Sequence, residues 1–496
     1  MNYFNRSTIN IHKKFWVLFG WWALACTLTS CTLPHVPEPK SKLIEPALYS
    51  QGRIDELKSS SGLREWPGIS WWQQWQDRQL DQLIDQALQQ SPSLDQAKAR
   101  IQAAAALTEG QHATLKPSVQ AEAKPAYERF TADEFIPPPY GANTYWDNQM
   151  LVESRFELDF WGKNHAALSA ALDRMHATQA EAAQVEQVLI SDLVDVYLQF
   201  TLEEIELMHS KAILHQHNRL YDLAQKRRNA GLGTDLDVNN ALAAQTPVQE
   251  ALARQKTAIR LLRNQIALLC GQPLSVALHL DRPTLSLTHT LHPPAQIPLH
   301  WLGRRPDIIA DRWQIEADVQ TIKVAKARFY PDINLDAYAG YQALGFSQLF
   351  SSSALMYGLT PALSLPLFEG GHLQGALDIA AALRDANIAR YNDQLLHAMQ
   401  EVSDQLATLH GLDEEQRAAT TAWTLAQNDE ELTRKGYQAG LMNETQQRLS
   451  SISRMEREQV RSRLDATRLR TEVHLIRALG GARQGPKTTA TTVQHE

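Results

Sequence analysis

The feature that most limits what this chain can fold into is a pair of apolar stripes too long for a compact domain. Over residues 164–229, Leu168, Leu172, Met175, Ala182, Val185, Leu189, Leu193, Val196 and Phe200 recur at steps of three, four or seven. Tyr391, Leu395, Met399, Val402, Leu406 and Leu409 repeat the pattern further on. A helix of about 65 residues extends on the order of 100 Å at 1.5 Å per residue. Helical patterns of that length without internal caps point to coiled-coil or helical-repeat packing.

The two stripes are copies of one another. Pro92 and Pro117 recur 214 residues later as Pro306 and Pro331. Ala230-Gly231-Leu232 recurs as Ala439-Gly440-Leu441, and Gly271 as Gly480, 209 residues on, with Asp195 and Asp404 in the same register. Duplication with one short loop insertion explains both offsets. Each half reads as shorter helix, two strands, a very long helix, a glycine turn and another long helix. The first repeat spans 71–271 and the second 301–480, with a linker at 272–300 and a flexible tail at 481–496. In the first half the short helical pattern runs from about Asp77 to Leu115 and breaks at Ser91-Pro92. Pro247 lies inside the fourth helical pattern, where its missing N–H predicts a local bend rather than a break.

The strand segments alternate. Val152, Ser154, Phe156, Leu158 and Phe160 oppose Glu153, Arg155, Glu157 and Asp159, one face apolar and the other charged. Ile333, Leu335, Ala337, Ala339 and Tyr341 form a second apolar face, Leu355 to Leu367 a third, and Val119, Ala121, Ala123 and Tyr127 a weaker fourth. Aromatic residues gather at the strand ends: Phe160, Trp161, Phe329, Tyr330 and Phe368 at one, Tyr140, Tyr145, Trp146, Phe346 and Phe350 at the other. Alternating segments of roughly ten residues with aromatic girdles are the signature of a transmembrane β-barrel; a soluble sheet packed on helices is the other reading of any single strand. Four strands cannot close a barrel, and an open edge in hydrocarbon leaves backbone groups without partners. Membrane strands therefore require a barrel shared between copies.

The amino terminus carries its own signal. Lys13 and Lys14 precede an apolar run from Phe15 to Cys26, which at about 12 residues has the length of a signal-peptide core and is too short to span a bilayer. Leu28-Thr29-Ser30-Cys31 matches the bacterial lipobox, so residues 1–30 read as a signal peptide and Cys31 as the acylated first residue of an extended tether over 31–70. Thr32, in place of an aspartate, favours sorting to the outer membrane. Of the three cysteines only Cys270 remains, beside Gly271, and it reads as a buried small hydrophobe. The net charge of −7 offers no basic footprint for nucleic acid. No Gly-rich phosphate loop, Cys-x-x-Cys pair or His-Glu-x-x-His motif is present, so neither catalytic nor metal-binding residues nor a cofactor are expected.

In this order, the lipobox, Trp71-Trp72 with Asp77, Leu158-Asp159-Phe160-Trp161-Gly162, Arg305-Pro306-Asp307-Ile308, Tyr330-Pro331 and Leu365-Pro366-Leu367-Phe368-Glu369-Gly370-Gly371 resemble the TolC-like outer-membrane factors, in particular their lipoprotein branch. The resemblance implies a mixed membrane α/β fold. Four strands per chain would contribute to a trimeric twelve-stranded transmembrane barrel, continued by a periplasmic helical barrel. It implies a passive exit duct of a tripartite efflux system, working with a periplasmic membrane-fusion adaptor and an inner-membrane pump, anchored in outer-membrane lipid. Gly231, Leu232, Gly440 and Leu441 would form the tip that meets the adaptor, Asp237 and Tyr437 are candidate gate residues, and Glu153, Arg155, Glu157 and Asp159 would face the lumen. Met442, Gln446 and Leu449 depart from the TolC pattern, which has an arginine and carboxylates there, and this implies a gate of different chemistry. The alternatives are a pore-less coiled-coil lipoprotein of the periplasm and the exit duct of a protein secretion system.

Overall fold

The computed structural model describes residues 35–40, 42–44, 68, 70–131, 133, 139–277, 280–294, 297 and 299–481. The signal peptide, Cys31, most of the tether and the tail beyond 481 lie outside the described residues. A 3-10 turn, Trp71–Trp75, precedes α1 (Arg78–Gln90), α2 (Pro92–Ala113), β1 (Ser118–Arg129), β2 (Thr144–Leu158), α3 (Lys163–Asn229), α4 (Asp235–Ala243), α5 (Thr246–Leu269) and the four-residue α6 (Leu274–Ala277). A second 3-10 turn, Leu299–Arg304, leads to α7 (Pro306–Ala327), β3 (Asp332–Leu344), β4 (Leu355–Ser364), α8 (His372–Gln438) and α9 (Glu444–Ala478). The order repeats as the duplication requires, and α3 and α8 are each 67 residues long.

By contacts the chain gathers into two units, each drawing on both sequence halves. One comprises Ala103–His176 and Trp313–Ala389 with the described residues up to Lys42. It holds the single sheet found among the described residues, ordered β1-β2-β3-β4 with every pair antiparallel. Its helical part packs Ile322 and Ala325 of α7 against Leu377, Ala380 and Ala381 of α8.

The other unit carries the larger core, built from Trp71, Trp75, Leu80, Ile84, Leu193, Tyr197, Phe200, Ile266, Leu469 and Val473. Trp71 meets Trp72 and Trp75 edge-on, at 5.8 and 5.6 Å between centroids, so the tryptophan-rich segment serves packing. Asp77, 2 % exposed, caps α1 through Gln79 N–H and Leu80 N–H and also accepts from the Tyr197 hydroxyl, the Thr284 N–H and hydroxyl, and Leu285 N–H. One carboxylate thus ties α1 to α3 and to the linker. The motif arginine Arg305 is equally committed: it forks onto Asp307, reaches Glu401 at 2.6 Å and donates to the Ala478 carbonyl. Burial raises the Asp307 pKa, but Arg305 and Gln394 outweigh it and hold the carboxyl below its usual range. Burial alone pushes the Cys270 thiol up to about 11, as expected of an inert packing residue.

Four helix ends close identically. At Gly231 and Gly440 the chain turns left-handed, with φ of 73° and 72°. Leu232 N–H bonds Arg227 O, Gly231 N–H bonds Arg228 O, Leu441 N–H bonds Gly436 O and Gly440 N–H bonds Tyr437 O, the double bond pattern of a Schellman cap. Gly271 and Gly480 end α5 and α9 in the same way. They differ in surroundings. A Cβ at Gly271 would stand 2.3 Å from the Gln90 carbonyl oxygen, whereas nothing lies within 4 Å of one at Gly231. Gly231→Ala should cost about 1 kcal/mol, the penalty for the left-handed conformation. Gly271→Ala should lower the thermal midpoint much further, because backbone must move, and melting curves of the two variants side by side measure the difference.

At Pro247 the helical hydrogen-bond ladder is interrupted over two residues. The helix stops at Ala243 and resumes at Thr246, with the proline in the first turn of α5. Pro247 cannot donate to the Ala243 carbonyl and its ring crowds that oxygen. Ala244 and Gln245 keep right-handed φ and ψ, so the interruption lies in the hydrogen-bond ladder rather than in the handedness of the chain.

Candidate functional site

Cross-strand partners share a face of the sheet, so the register assigns every side chain to one of two surfaces. Val119, Ser154, Ala337 and Leu359 form one row, Ala121, Val152, Ala339 and Tyr357 the next, and Leu158, Ile333 and Leu363 the last at one end. This face is apolar and open: Val119, Val152, Tyr357, Leu359 and Leu363 are all exposed. From Leu158 to Trp146 β2 covers roughly 40 Å at about 3.3 Å per residue, or about 30 Å along the normal once tilted as barrel strands are. That matches a hydrocarbon core. The expected aromatic groups assemble at both ends. Trp161 stacks on Tyr330 with centroids 4.8 Å apart, while Trp146 lies against Tyr127 and Phe346. Ser154 and Asn148 are the polar residues within this face, Asn148 buried beside Pro125 and Ala343, and Arg129 pairs with Thr144 at its far end.

The opposite face holds Glu122, Lys124, Glu128, Asp147, Glu153, Arg155, Glu157, Asp332 and Asp336. Arg155 donates to Asp336 at 2.9 Å, and Gln120 to Glu153 at 3.1 Å. Lys163, from the start of α3, contacts both Glu157 and Asp332. Carboxylates outnumber cations on this surface. Two contacts that parity alone does not reveal fix the middle of it: Leu151 covers Gly340, and the Tyr338 ring lies over Gly358.

Of the strand residues predicted to face a lumen, Glu153, Arg155 and Glu157 lie on this polar face, but Asp159 does not. β2 ends at Leu158. The Asp159 side chain is 7 % exposed, accepts the His165 N–H at 2.9 Å and meets the His165 ring at 2.7 Å. It serves the opening turn of α3, where free N–H groups attract a carboxylate.

At the helix turns, Leu232 and Leu441 are 72 % and 83 % exposed, apolar side chains held outward by the glycine caps. Thr234 and Asn443 cap the following helices through reciprocal capping boxes with Asp237 and Gln446. Asp237 is spent on this: its carboxylate accepts from Thr234 N–H and hydroxyl, each at 2.8 Å, and these bonds hold it below the usual carboxylate range. Among the described residues no hydrogen bond joins the two candidate gate residues, Asp237 and Tyr437. Met442, in place of an arginine, lies over Gly436, and Leu449 borders a groove with His217, Leu220 and Asp237. No helix among the described residues is long and apolar enough to cross a membrane.

A family model described as outer membrane efflux protein matches residues 83–272 and 299–481. The fusaric acid resistance protein FusA of Burkholderia cepacia is 32 % identical over 365 residues, covering 73 % of this chain and 68 % of that protein. The multidrug resistance outer membrane protein MdtP of Escherichia coli strain K12 is 28 % identical over 478 residues, covering 92 % of this chain and 95 % of its own. Among solved structures, the outer membrane protein VceC of Vibrio cholerae is 30 % identical and superposes with a TM-score of 0.75, covering 84 % of this chain and 100 % of that one. The CmeC outer membrane channel of Campylobacter jejuni, at 18 % identity, shares the fold with a TM-score of 0.77 over 91 % of this chain and 95 % of its own. The chain belongs to the outer membrane efflux protein family, and it is an outer-membrane efflux channel protein whose strands contribute to a β-barrel and whose long helices contribute to an α-helical barrel.

Proposed function

We propose that three copies of this chain share one twelve-stranded barrel and form the passive exit duct of a tripartite efflux system. The observation that carries this is the sheet itself: it has two unpaired edges, β1 and β4, and one largely apolar face. Pairing β1 of one copy with β4 of the next satisfies both edges in hydrocarbon, where open backbone groups are not tolerated. Three fours make a barrel wide enough for a water-filled path. The acylated Cys31 would anchor each copy in the inner leaflet. The exposed Leu232 and Leu441 turns would meet the hairpins of a periplasmic adaptor, which joins the duct to an inner-membrane pump. Relatives named for fusaric acid and multidrug resistance support small toxic molecules as cargo. Deleting the gene should sensitise the host to fusaric acid or to amphiphilic drugs, with sensitivity restored to the parental level by the intact gene but not by a copy with both turn leucines changed to aspartate.

With the polar face lining the lumen, the excess of carboxylates makes the pore prefer cations. Reversal potentials in a KCl gradient should show this. Glu122→Gln with Glu153→Gln should shift the reversal potential toward zero while leaving conductance within about twofold.

A further inference from the structure

At the end of the sheet marked by the Trp161–Tyr330 stack, three cations stand exposed: Lys116, between α2 and β1, and Lys326 and Arg328, in and just after the last turn of α7. Their side chains form no ion pair or hydrogen bond among the described residues. The neighbouring carboxylates are already engaged. Asp332 and Glu157 share Lys163, Asp159 holds His165, and Glu109 and Glu369 face His112 and His372. The field at a helix carboxyl end explains why cations are favoured here, but it leaves their charge directed outward.

The sheet defines the depth of the α7 end, while Lys116, two residues before Ser118 and its partner Arg155, stands level with the last rows of β2. Tyr330 lies three residues beyond Ile333, the last apolar row, which is roughly 10 Å of chain and about 8 Å along the membrane normal for a tilted strand. A headgroup layer occupies roughly 5 to 8 Å on each side of the hydrocarbon. Exposed Phe160, Leu367 and Phe368 supply an apolar rim at the same end, with Phe368 91 % exposed. Long basic side chains beside such a rim can lay their stems along it and lift their charges to the phosphates.

We infer that Lys116, Lys326 and Arg328 form a headgroup site for anionic phospholipid of the inner leaflet, repeated around the assembled barrel. This rests on the shared-barrel reading. The test uses the purified assembled channel in nanodiscs of phosphatidylethanolamine with or without phosphatidylglycerol, and native mass spectrometry of the lipids it retains. The wild type should retain phosphatidylglycerol preferentially, and more weakly at high salt. Each cation removed, as in K116Q, K326Q and R328Q, should cut the preference about fivefold, while single-channel conductance stays unchanged. Equal retention of both lipids by the wild type, or an undiminished preference in the triple variant, would overturn the site. Competition by free inorganic phosphate without any lipid preference would also overturn it, by showing a phosphate site rather than a lipid one. Loss of conductance in lipid of either composition would instead count against the barrel itself.

Discussion

Changing Gly340 to valine is expected to abolish assembly of the channel, with the outer-membrane fraction holding less than about a tenth of the wild-type oligomer. Gly340 pairs with Leu151 in the central β2–β3 ladder. A Cβ there would lie 2.0 Å from the Met150 carbonyl oxygen and 2.8 Å from Leu151 Cα. Both are backbone atoms of the neighbouring strand, so relief requires the two strands to part. Parting them breaks ladder bonds that hydrocarbon cannot replace. Gly358→Ala is the informative companion. Its Cβ would meet the Tyr338 ring at 2.6 Å, and a side chain can rotate away, so this variant should assemble with only a modest fall in thermal midpoint. Wild-type amounts of the Gly340→Val oligomer on unheated gels would show that β2 and β3 do not pair in this register.

Asp77→Ala should cost about 3 to 5 kcal/mol, the range for stripping a buried charged acceptor from the groups that depend on it. Six donations converge on this carboxylate, from Gln79, Leu80, Tyr197, Leu285 and twice from Thr284. Alanine leaves those donors without a partner in a site that is 2 % exposed. The segment around Thr284 should then become sensitive to protease, which a general loss of stability would not single out. Tyr197→Phe removes one donor and keeps the carboxylate, so it should cost about 1 kcal/mol. Equal effects of the two substitutions would mean that the hub does not hold the linker.

These two residues mark the limits of what the sequence reveals. Periodicity exposed both 67-residue helices, all four strands and the parity of their faces, because each is a local repetition of apolar residues. Glycine at 231 and 440 was legible as a helix end for the same reason, since only the conformation of its own backbone is at stake. Gly340 is different. Its necessity comes from a strand almost 190 residues earlier in the chain, and nothing near it signals the contact. Asp77 could be read as a cap for α1, but its bonds to Thr284 and Leu285 span more than 200 residues. Asp159 continued the alternation of β2 by one position too many, because the helix start at Lys163 recruits it. Asp237 and Tyr437 are candidate gate residues by resemblance alone. Thr234, three residues before Asp237, supplies a nearer donor and wins the carboxylate within a single chain.

The most direct test of the shared barrel is the native mass of protein extracted in mild detergent from purified outer membrane, with single-channel recording on the same sample. Three copies and a conducting, cation-preferring pore are expected. A monomer or dimer that never conducts would contradict the shared barrel.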